Sequence, residues 1–128
     1  MAPARGEVWY ADLTPVRGHE QDGVRPVVVL STRERLPIPL ALAVPVTTRF
    51  RDIPSHVPIH PPEGGLRSTS YALCEQTRCL ALERFQRRLG RVEEDTLKDV
   101  SHILHYLMAL HCPKSGDEEG AQLSGGER

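Results

Sequence analysis

The chain has 128 residues, which is enough for one domain with a hydrophobic core and too few for two. Its hydrophobic fraction of 39% and charged fraction of 26% are typical of a soluble globular protein. The formal net charge of −1 excludes a strongly basic nucleic-acid-binding protein. The sequence has neither an apolar run of roughly 18 residues, which a membrane span needs, nor a signal peptide at its start. We therefore expect a cytoplasmic protein.

The charge is unevenly distributed along the chain. Six arginines and two glutamates lie between residues 67 and 91, whereas residues 113–128 carry two basic and four acidic side chains. A guanidinium can bind a phosphate through two parallel hydrogen bonds. A local basic face is therefore compatible with the near-neutral total.

The first part of the chain predicts short strands separated by a loop. Residues 6–13 form a β-prone run that a Thr-Pro pair closes, and the polar, glycine-containing stretch 17–24 predicts a loop. The apolar run 27–30 predicts a buried strand. We expect this strand to begin at Pro26, because proline has no amide donor for the interior of a sheet.

The middle of the chain predicts three or four more strands. Residues 40–46 are apolar and end at the polar pair Thr47-Thr48. Residues 54–59 predict a short edge strand, because two prolines interrupt them, and residues 61–65 predict a turn. One or two further strands are expected between residues 70 and 82.

The last third is the part with a helical pattern. Apolar residues recur there at the spacing of an amphipathic helix, namely Leu97, Val100, Ile103, Leu104, Leu107, Met108 and Leu110. Negative charge at 93–95 favours the start of this helix, and Pro113 predicts an end near His111. We expect residues 1–112 to form the domain and residues 113–128 a disordered polar tail.

Together these elements predict a mainly β protein with a C-terminal helix. The connections between the strands are too short for crossover helices, so the sheet should be antiparallel. We expect a small, curled antiparallel sheet or barrel with the helix packed beside it.

Motifs of cofactor-dependent enzymes are absent from the sequence. It has no P-loop, no dinucleotide-binding glycine motif, no H-E-x-x-H and no G-x-S-x-G. The six histidines show no metal-ligand spacing, and Cys74 and Cys79 are too far apart for a zinc-site pair. We expect these cysteines and Cys112 to be buried free thiols, and we expect no metal and no cofactor.

Polar residues lie at the ends of several predicted strands. Arg25 precedes one strand, Thr47-Thr48 end the next, and a later segment reads Glu75-Gln76-Thr77-Arg78. If neighbouring strands align these ends, an arginine, hydroxyls, a carboxylate and an amide meet at one rim of the sheet. Such groups suit a phosphodiester and the edge of a base. Polar strand ends that are merely exposed to water remain the alternative at this point.

Four segments of the chain carry a resemblance to a known family. Residues 5–15 read RGEVWYADLTP, residues 18–26 read GHEQDGVRP, residues 44–49 read VPVTTR, and residues 73–78 read LCEQTR. In this order and at these spacings, the segments resemble motifs of the MazF/PemK family of type II toxins. The match runs from residue 4 to about residue 110 and omits only the tail.

The resemblance implies a fold, an activity and partners. The fold is an SH3-like barrel of antiparallel strands, dimerised so that single-stranded RNA lies in a groove across the interface. The activity is sequence-specific cleavage of RNA without a metal, through the 2′-hydroxyl, which leaves a 2′,3′-cyclic phosphate and a 5′-hydroxyl. A small cognate antitoxin is expected to occupy the RNA groove.

The same resemblance points to candidate site residues. Arg25 and Thr47 match the catalytic pair of the family. The expected RNA-binding residues are His19, Glu20, Gln21, Thr48, Gln76 and Arg78.

Physical chemistry restricts what these residues can do. Arginine stays protonated at ordinary pH, so Arg25 suits a clamp on the developing phosphorane charge better than a general base. Glu20 could accept the 2′-hydroxyl proton. His19, where many relatives carry serine, introduces a side chain type that titrates near neutral pH. We therefore hypothesise that His19 contacts a phosphate or assists proton transfer.

Two other functions are compatible with the same fold. CcdB-like toxins bind DNA gyrase through an aromatic, apolar C-terminus, whereas this chain ends in a polar tail. A catalytically inactive barrel could also serve as a binding module, but Arg25 and Thr47 are both present.

Overall fold

Seven strands and one helix make up the part of the chain that the computed structural model describes, which is residues 2–15, 17–21 and 23–109. The strands are β1 (Glu7–Asp12), β2 (Val24–Val29), β3 (Leu40–Thr47), β4 (His56–Ile59), β5 (Ser70–Leu73), β6 (Arg78–Ala81) and β7 (Phe85–Arg91). The helix is α1 (Glu94–Leu107), and short 3-10 turns occupy Glu63–Gly65, Cys74–Gln76 and Leu82–Arg84.

The strands form one antiparallel sheet in the order β4-β5-β3-β2-β1-β7. β6 pairs with the first half of β3, and β5 pairs with its last two residues. This arrangement confirms the expected mainly β, antiparallel architecture with a C-terminal helix. The pairings among the described residues do not join β4 to β7, so the sheet is open along this edge.

Apolar side chains are buried on both faces of the central strands. Val8, Val28 and Val44 belong to one core cluster, which α1 covers with Leu97 and Val100. The alternate residues of the same strands belong to a second cluster, which contains Trp9, Ala11, Val27, Val29 and Ala43. Because side chains alternate between faces, a strand buried on both faces needs the continuous apolar run that 27–29 provides.

The start of β2 differs from the expectation. The strand begins at Val24 rather than at Pro26, so the prediction that Pro26 opens it is wrong. β2 pairs with β1 from Val24 onward, but its pairing with β3 begins only at Val27. Pro26 is therefore paired with β1 but lies outside the pairing with β3. This position suits a residue without an amide donor.

Two other elements depart from the sequence pattern. β7 was not predicted, and it raises the number of strands to seven instead of five or six. The helix ends at Leu107 and not near His111, with Ala109 in the left-handed region at φ 57°, a conformation common just beyond a helix end. The expected domain end at residue 112 and the tail at 113–128 lie outside the described residues. No helix within those described is long and apolar enough to cross a membrane.

The cysteines also differ in part from the expectation. Cys74 is a buried free thiol, and burial raises its pKa to about 12. Cys79 is exposed on β6, so the prediction that it is buried is wrong. Cys112 lies outside the described part of the chain.

The loop that follows β4 packs directly against β7. Gly65 has a φ of 70°, and a Cβ atom there would lie 2.1 Å from the carbonyl oxygen of Leu89. A Cβ atom at Gly90 would lie 2.7 Å from the backbone of Gly64. Only glycine allows this approach, and it holds the residues after Gly65 beside β7.

Candidate active site

Arg25 lies near the start of β2 and Thr47 at the end of β3, at the same rim of the sheet. The antiparallel register pairs Val27 with Pro45, and each of these lies two residues from one member of the pair. The strand pairing thus brings together the two residues that the sequence predicted as the catalytic pair.

Both residues line one open cavity of about 490 Å³, which we call the arginine cavity. Its polar wall includes Arg25, Thr47, Thr48, Arg67, Ser68 and Arg87. None of the described residues that line it is an aspartate or a glutamate. The cavity therefore suits an anionic ligand.

Thr47 is also part of a second cavity of about 390 Å³, which we call the glutamine cavity. Its polar wall includes His19, Glu20, Gln21, Arg51, His56, Glu75 and Gln76. The two cavities thus meet at the end of β3, and Thr47 is 8% exposed there. A polymeric ligand that contacts Thr47 can reach both cavities.

A hydrogen bond joins the loop before β2 to the turn after β5. The amide of Gln21 donates to Oε1 of Gln76 at 2.6 Å. Within the same loop, the amide of Arg17 donates to Oε1 of Glu20 at 2.8 Å. His19 and Glu20 are exposed, whereas Gln21 and Gln76 are half-buried. The long-range bond fixes the loop against the site, so its polar side chains face the glutamine cavity.

Glu75 is the centre of a hydrogen-bonded group in this cavity. Its Oε1 accepts from the hydroxyl of Ser55 at 2.7 Å, and its Oε2 accepts from Nε2 of His56 at 2.8 Å. Burial acts to raise the pKa of Glu75, but these hydrogen bonds and the His56 ring outweigh it, and the pKa is lowered. Glu75 is therefore ionised at neutral pH and already holds two donors.

The structure places most of the predicted site residues around the two cavities. His19, Glu20, Gln21 and Gln76 line the glutamine cavity, and Thr48 lines the arginine cavity. Arg78 lines neither of them. Its guanidinium donates to the carbonyl oxygen of Leu13 at 3.0 Å, so it links β6 to the end of β1.

Several residues at or beside the two cavities had no distinguishing signal in the sequence. Ser55 and His56 reach Glu75 only because β4 pairs with β5, with His56 opposite Leu73. Tyr10 and Arg87 meet because β1 pairs with β7, a strand that the sequence did not predict. For Arg67 and Arg87, the local excess of arginine between residues 67 and 91 was the available signal.

Comparison with known proteins identifies the family. A family model described as PemK-like, MazF-like toxin of type II toxin-antitoxin system matches residues 4–108. The chain belongs to this family. The match agrees with the resemblance that the four sequence segments indicated.

Individual relatives support the membership in the PemK-like, MazF-like family. A curated relative, endoribonuclease MazF of Staphylococcus saprophyticus, is 32% identical over 114 residues, which are 87% of this chain and 95% of the relative. The crystal structure of MazF from Deinococcus radiodurans has a TM-score of 0.77 at 29% identity, and the match covers 86% of this chain and 99% of the MazF chain. A mycobacterial endoribonuclease in complex with its cognate antitoxin has a TM-score of 0.72 at 27% identity, with 88% and 100% covered.

The family gives the chain its class of activity. As a PemK-like, MazF-like toxin with a curated endoribonuclease among its relatives, the chain is an endoribonuclease toxin. The confirmed antiparallel fold with a C-terminal helix is that of its MazF neighbours. These matches favour RNA cleavage over the gyrase-binding function of CcdB-like toxins.

Proposed function

We propose that this toxin cleaves single-stranded RNA at a short sequence without a metal ion, as a homodimer whose RNA groove a cognate antitoxin blocks. The observation that carries the proposal is that Arg25 and Thr47 line one cavity at the rim of the sheet, in which the described lining residues include no carboxylate. A guanidinium and a hydroxyl are the donors that a phosphodiester accepts. RNA of this kind lies in the cytoplasm, which is where the proposed reaction takes place.

The proposed reaction is an internal transesterification of the RNA backbone. The ribose 2′-oxygen forms a bond to the adjacent phosphorus, and the bond from phosphorus to the 5′-oxygen breaks. The 2′-hydroxyl loses its proton to a base, and the departing 5′-oxygen takes up a proton. The products are a 2′,3′-cyclic phosphate and a 5′-hydroxyl.

Arg25 and Thr47 stabilise the charge that develops on the phosphate in this reaction. Arg25 is permanently protonated and presents a fork of N–H donors to the phosphorane oxygens. The Oγ1 atom of Thr47 accepts from the amide of Arg49 at 3.2 Å. Because this bond uses a lone pair, the hydroxyl proton of Thr47 can point to a phosphate oxygen.

The proton acceptor is proposed to come from the loop before β2. Glu75 accepts two hydrogen bonds and has a lowered pKa, so it is a weak base. Glu20 and His19 are exposed and line the same cavity, next to Thr47. We assign proton transfer to this pair, and the pH dependence of cleavage separates carboxylate from imidazole.

The glutamine cavity is proposed to read a base of the RNA. Gln21 and Gln76 each carry an amide that can donate and accept along a base edge. The Oε1 atom of Gln21 is buried without a hydrogen-bond partner in the described structure. A buried acceptor without a partner is unfavourable, and an exocyclic amino group of a bound base can supply the missing donor. Thr48 is proposed to contact the same strand, and Arg78 remains a predicted RNA-binding residue.

The partners are proposed from the relatives and from the exposed apolar surface. A crystal structure of MazE-MazF from Deinococcus radiodurans and a structure of a mycobacterial endoribonuclease in complex with its cognate antitoxin are both similar to this chain. In this chain, Phe50 is 64%, Tyr106 77% and Met108 58% exposed. Exposed large apolar side chains are typical of binding interfaces, which supports a homodimer and an antitoxin complex.

Kinetics of three variants test the proposed roles. In EDTA, Arg25→Ala and Thr47→Ala are expected to lower kcat by about 10² to 10³, the loss typical of one oxyanion donor. His19→Ala is expected to slow cleavage and to change its pH profile. Arg35→Ala is the control, because Arg35 is exposed in the turn after β2, at the opposite end of this strand from Arg25. Thermal unfolding checks that each variant is folded, and an unaltered kcat for folded Arg25→Ala contradicts the proposal.

A further inference from the structure

The six arginines between residues 67 and 91 differ in their bonding. Four of them are bound by the protein itself. Arg88 pairs with Glu7 at 2.9 Å, and Arg78, Arg84 and Arg91 donate to backbone carbonyl oxygens. Within the described part of the chain, Arg67 and Arg87 have neither a carboxylate nor a carbonyl partner. These two guanidinium groups retain their capacity to bind an external anion.

Both of these arginines line the arginine cavity together with Arg25 and Thr47. The cavity also presents the hydroxyl-bearing residues Thr48 and Ser68 and contains no carboxylate in its lining. By contrast, the glutamine cavity on the other side of Thr47 holds Glu20 and Glu75. Since Arg51 also lines the glutamine cavity, the two cavities differ in charge: the arginine cavity has three arginines and no carboxylate among its described lining residues, whereas the glutamine cavity combines one arginine with two carboxylates.

The backbone fixes the positions of Arg67 and Arg87. In the sheet, Tyr10 lies opposite Pro26 of β2 on one side and opposite Arg87 of β7 on the other. Adjacent strands are about 4.8 Å apart, so Arg87 lies about two such spacings across the sheet from Pro26. The guanidinium of Arg87 is 5.0 Å from the centre of the Tyr10 ring, a cation–π contact that orients it.

Arg67 is held beside β7 by the same glycine contacts that define the fold. Gly65 and Gly90 allow the loop to approach β7 so closely that any Cβ atom would collide with the backbone. Arg67 follows this contact by two residues and is exposed, as is Arg87. These two guanidinium groups are thus kept at one wall of the cavity that contains the catalytic pair.

We propose that Arg67 and Arg87 form a phosphate-binding subsite for the RNA backbone on one side of the scissile bond. This inference rests on the proposed function and assigns the path of the strand within the site. The RNA passes from the glutamine cavity, where a base is read, across Thr47 and into the arginine cavity. There the next phosphates meet three arginines, whereas in the glutamine cavity the charge of Arg51 is offset by Glu20 and Glu75.

The test is equilibrium binding of a 2′-O-methyl oligonucleotide pool, which cannot be cleaved through the 2′-hydroxyl, at about 50 to 200 mM salt. For single strands each phosphate contact contributes about 0.7 to the slope of log affinity against log salt. Arg67→Ala/Arg87→Ala is therefore expected to lose about 1.4 of the slope. The ratio of wild-type affinity to double-variant affinity is then expected to be about sevenfold smaller at the highest salt concentration than at the lowest. Arg87→Lys keeps the charge and is expected to retain the slope, and Arg35→Ala is the matched control.

Cleavage kinetics and a second ligand distinguish a phosphate subsite from a docking site for an acidic protein segment. The double variant is expected to raise KM without lowering kcat, because the subsite binds RNA away from the reacting atoms. An unchanged slope and KM, or wild type that does not bind the pool, overturns the proposal. So does a double variant that keeps its affinity for RNA but loses affinity for a polyglutamate peptide, since the arginines would then serve an acidic protein segment. If wild type binds with the expected slope but cleaves no RNA, the proposed function fails and the subsite stands.

Discussion

Glu75 shows how neighbouring side chains set the ionisation of a carboxylate at the site. Its side chain is 36% exposed, and the side chain of His56 is 5% exposed. Burial favours the protonated form of Glu75, whereas the donors Ser55 and His56 favour the ionised form and win. The folded state therefore binds this proton more weakly than the unfolded chain does.

This imbalance gives a prediction about stability and pH. A carboxylate with a lowered folded pKa stabilises the fold above its ordinary pKa of 4.5, and this contribution is lost as pH falls through the lowered value. Glu75→Gln is therefore expected to reduce the Tm at about pH 6, with a smaller reduction at about pH 3. Thermal unfolding at both pH values measures the difference.

The matched control for this prediction is Glu83→Gln, because Glu83 is an exposed carboxylate on the turn before β7. Its Tm is expected to stay close to that of wild type at both pH values. A Glu75→Gln deficit that is equally large at both pH values contradicts the account, because the ionised carboxylate would then not be the source of the stability.

At the scale of residues, the sequence pointed to the candidate pair Arg25 and Thr47 but not to the neighbours of Glu75. Arg25 and Thr47 each stand beside an apolar run, and the pairing of β2 with β3 brings both to the arginine cavity. Ser55 and His56 meet Glu75 through the pairing of β4 with β5, which joins positions about 20 residues apart. No local pattern in the sequence specifies that pairing.

Among the elements, α1 depends on a residue from outside its own segment. One carboxylate oxygen of Glu63 accepts from the amide of Glu93 at 2.8 Å and also from the hydroxyl of Thr96. Glu93 is the N-cap residue of α1, and its own side chain makes no capping hydrogen bond. Glu63 thus satisfies a helix N-terminal donor that the local sequence leaves open.

Removal of this carboxylate is expected to destabilise the protein. Glu63→Ala should lower the free energy of unfolding by about 0.5–2 kcal/mol, the usual range for loss of a capping side chain. Urea denaturation measures it. Glu34→Ala, at an exposed position in the turn after β2, serves as the control. Equal midpoints for Glu63→Ala and the control would show that Glu63 does not cap the helix.

β7 is the element that the sequence pattern could not predict. Its residues show no apolar alternation, and four of its seven positions are polar or charged. The strand forms because it pairs with β1, where Phe85 meets Trp9 edge-on at 6.1 Å and Arg88 binds Glu7. Tertiary contacts therefore override a weak local preference for a strand. Within the same strand, Arg88 forms an ion pair with Glu7, whereas Arg87 lies over the ring of Tyr10.

At the scale of the whole molecule, the net charge of −1 conceals an asymmetric site. The family fold brings three arginines to one cavity and places two glutamates with Arg51 in the neighbouring cavity, with Thr47 between them. Composition indicated a near-neutral protein that is compatible with a local basic face, and the short connections between strands predicted the antiparallel sheet. The difference in charge between the cavities depends on long-range pairing, so it required the structure.

The central claim is that this chain cleaves RNA without a metal through the 2′-hydroxyl, with Arg25 as the charge clamp. The most direct measurement incubates the purified protein with a long RNA in EDTA and maps the new 5′-hydroxyl ends. We expect ends at one short recurring sequence, 2′,3′-cyclic phosphates on the upstream fragments, and loss of both with Arg25→Ala. Absence of cleavage by wild type, or equal cleavage by Arg25→Ala, would contradict it.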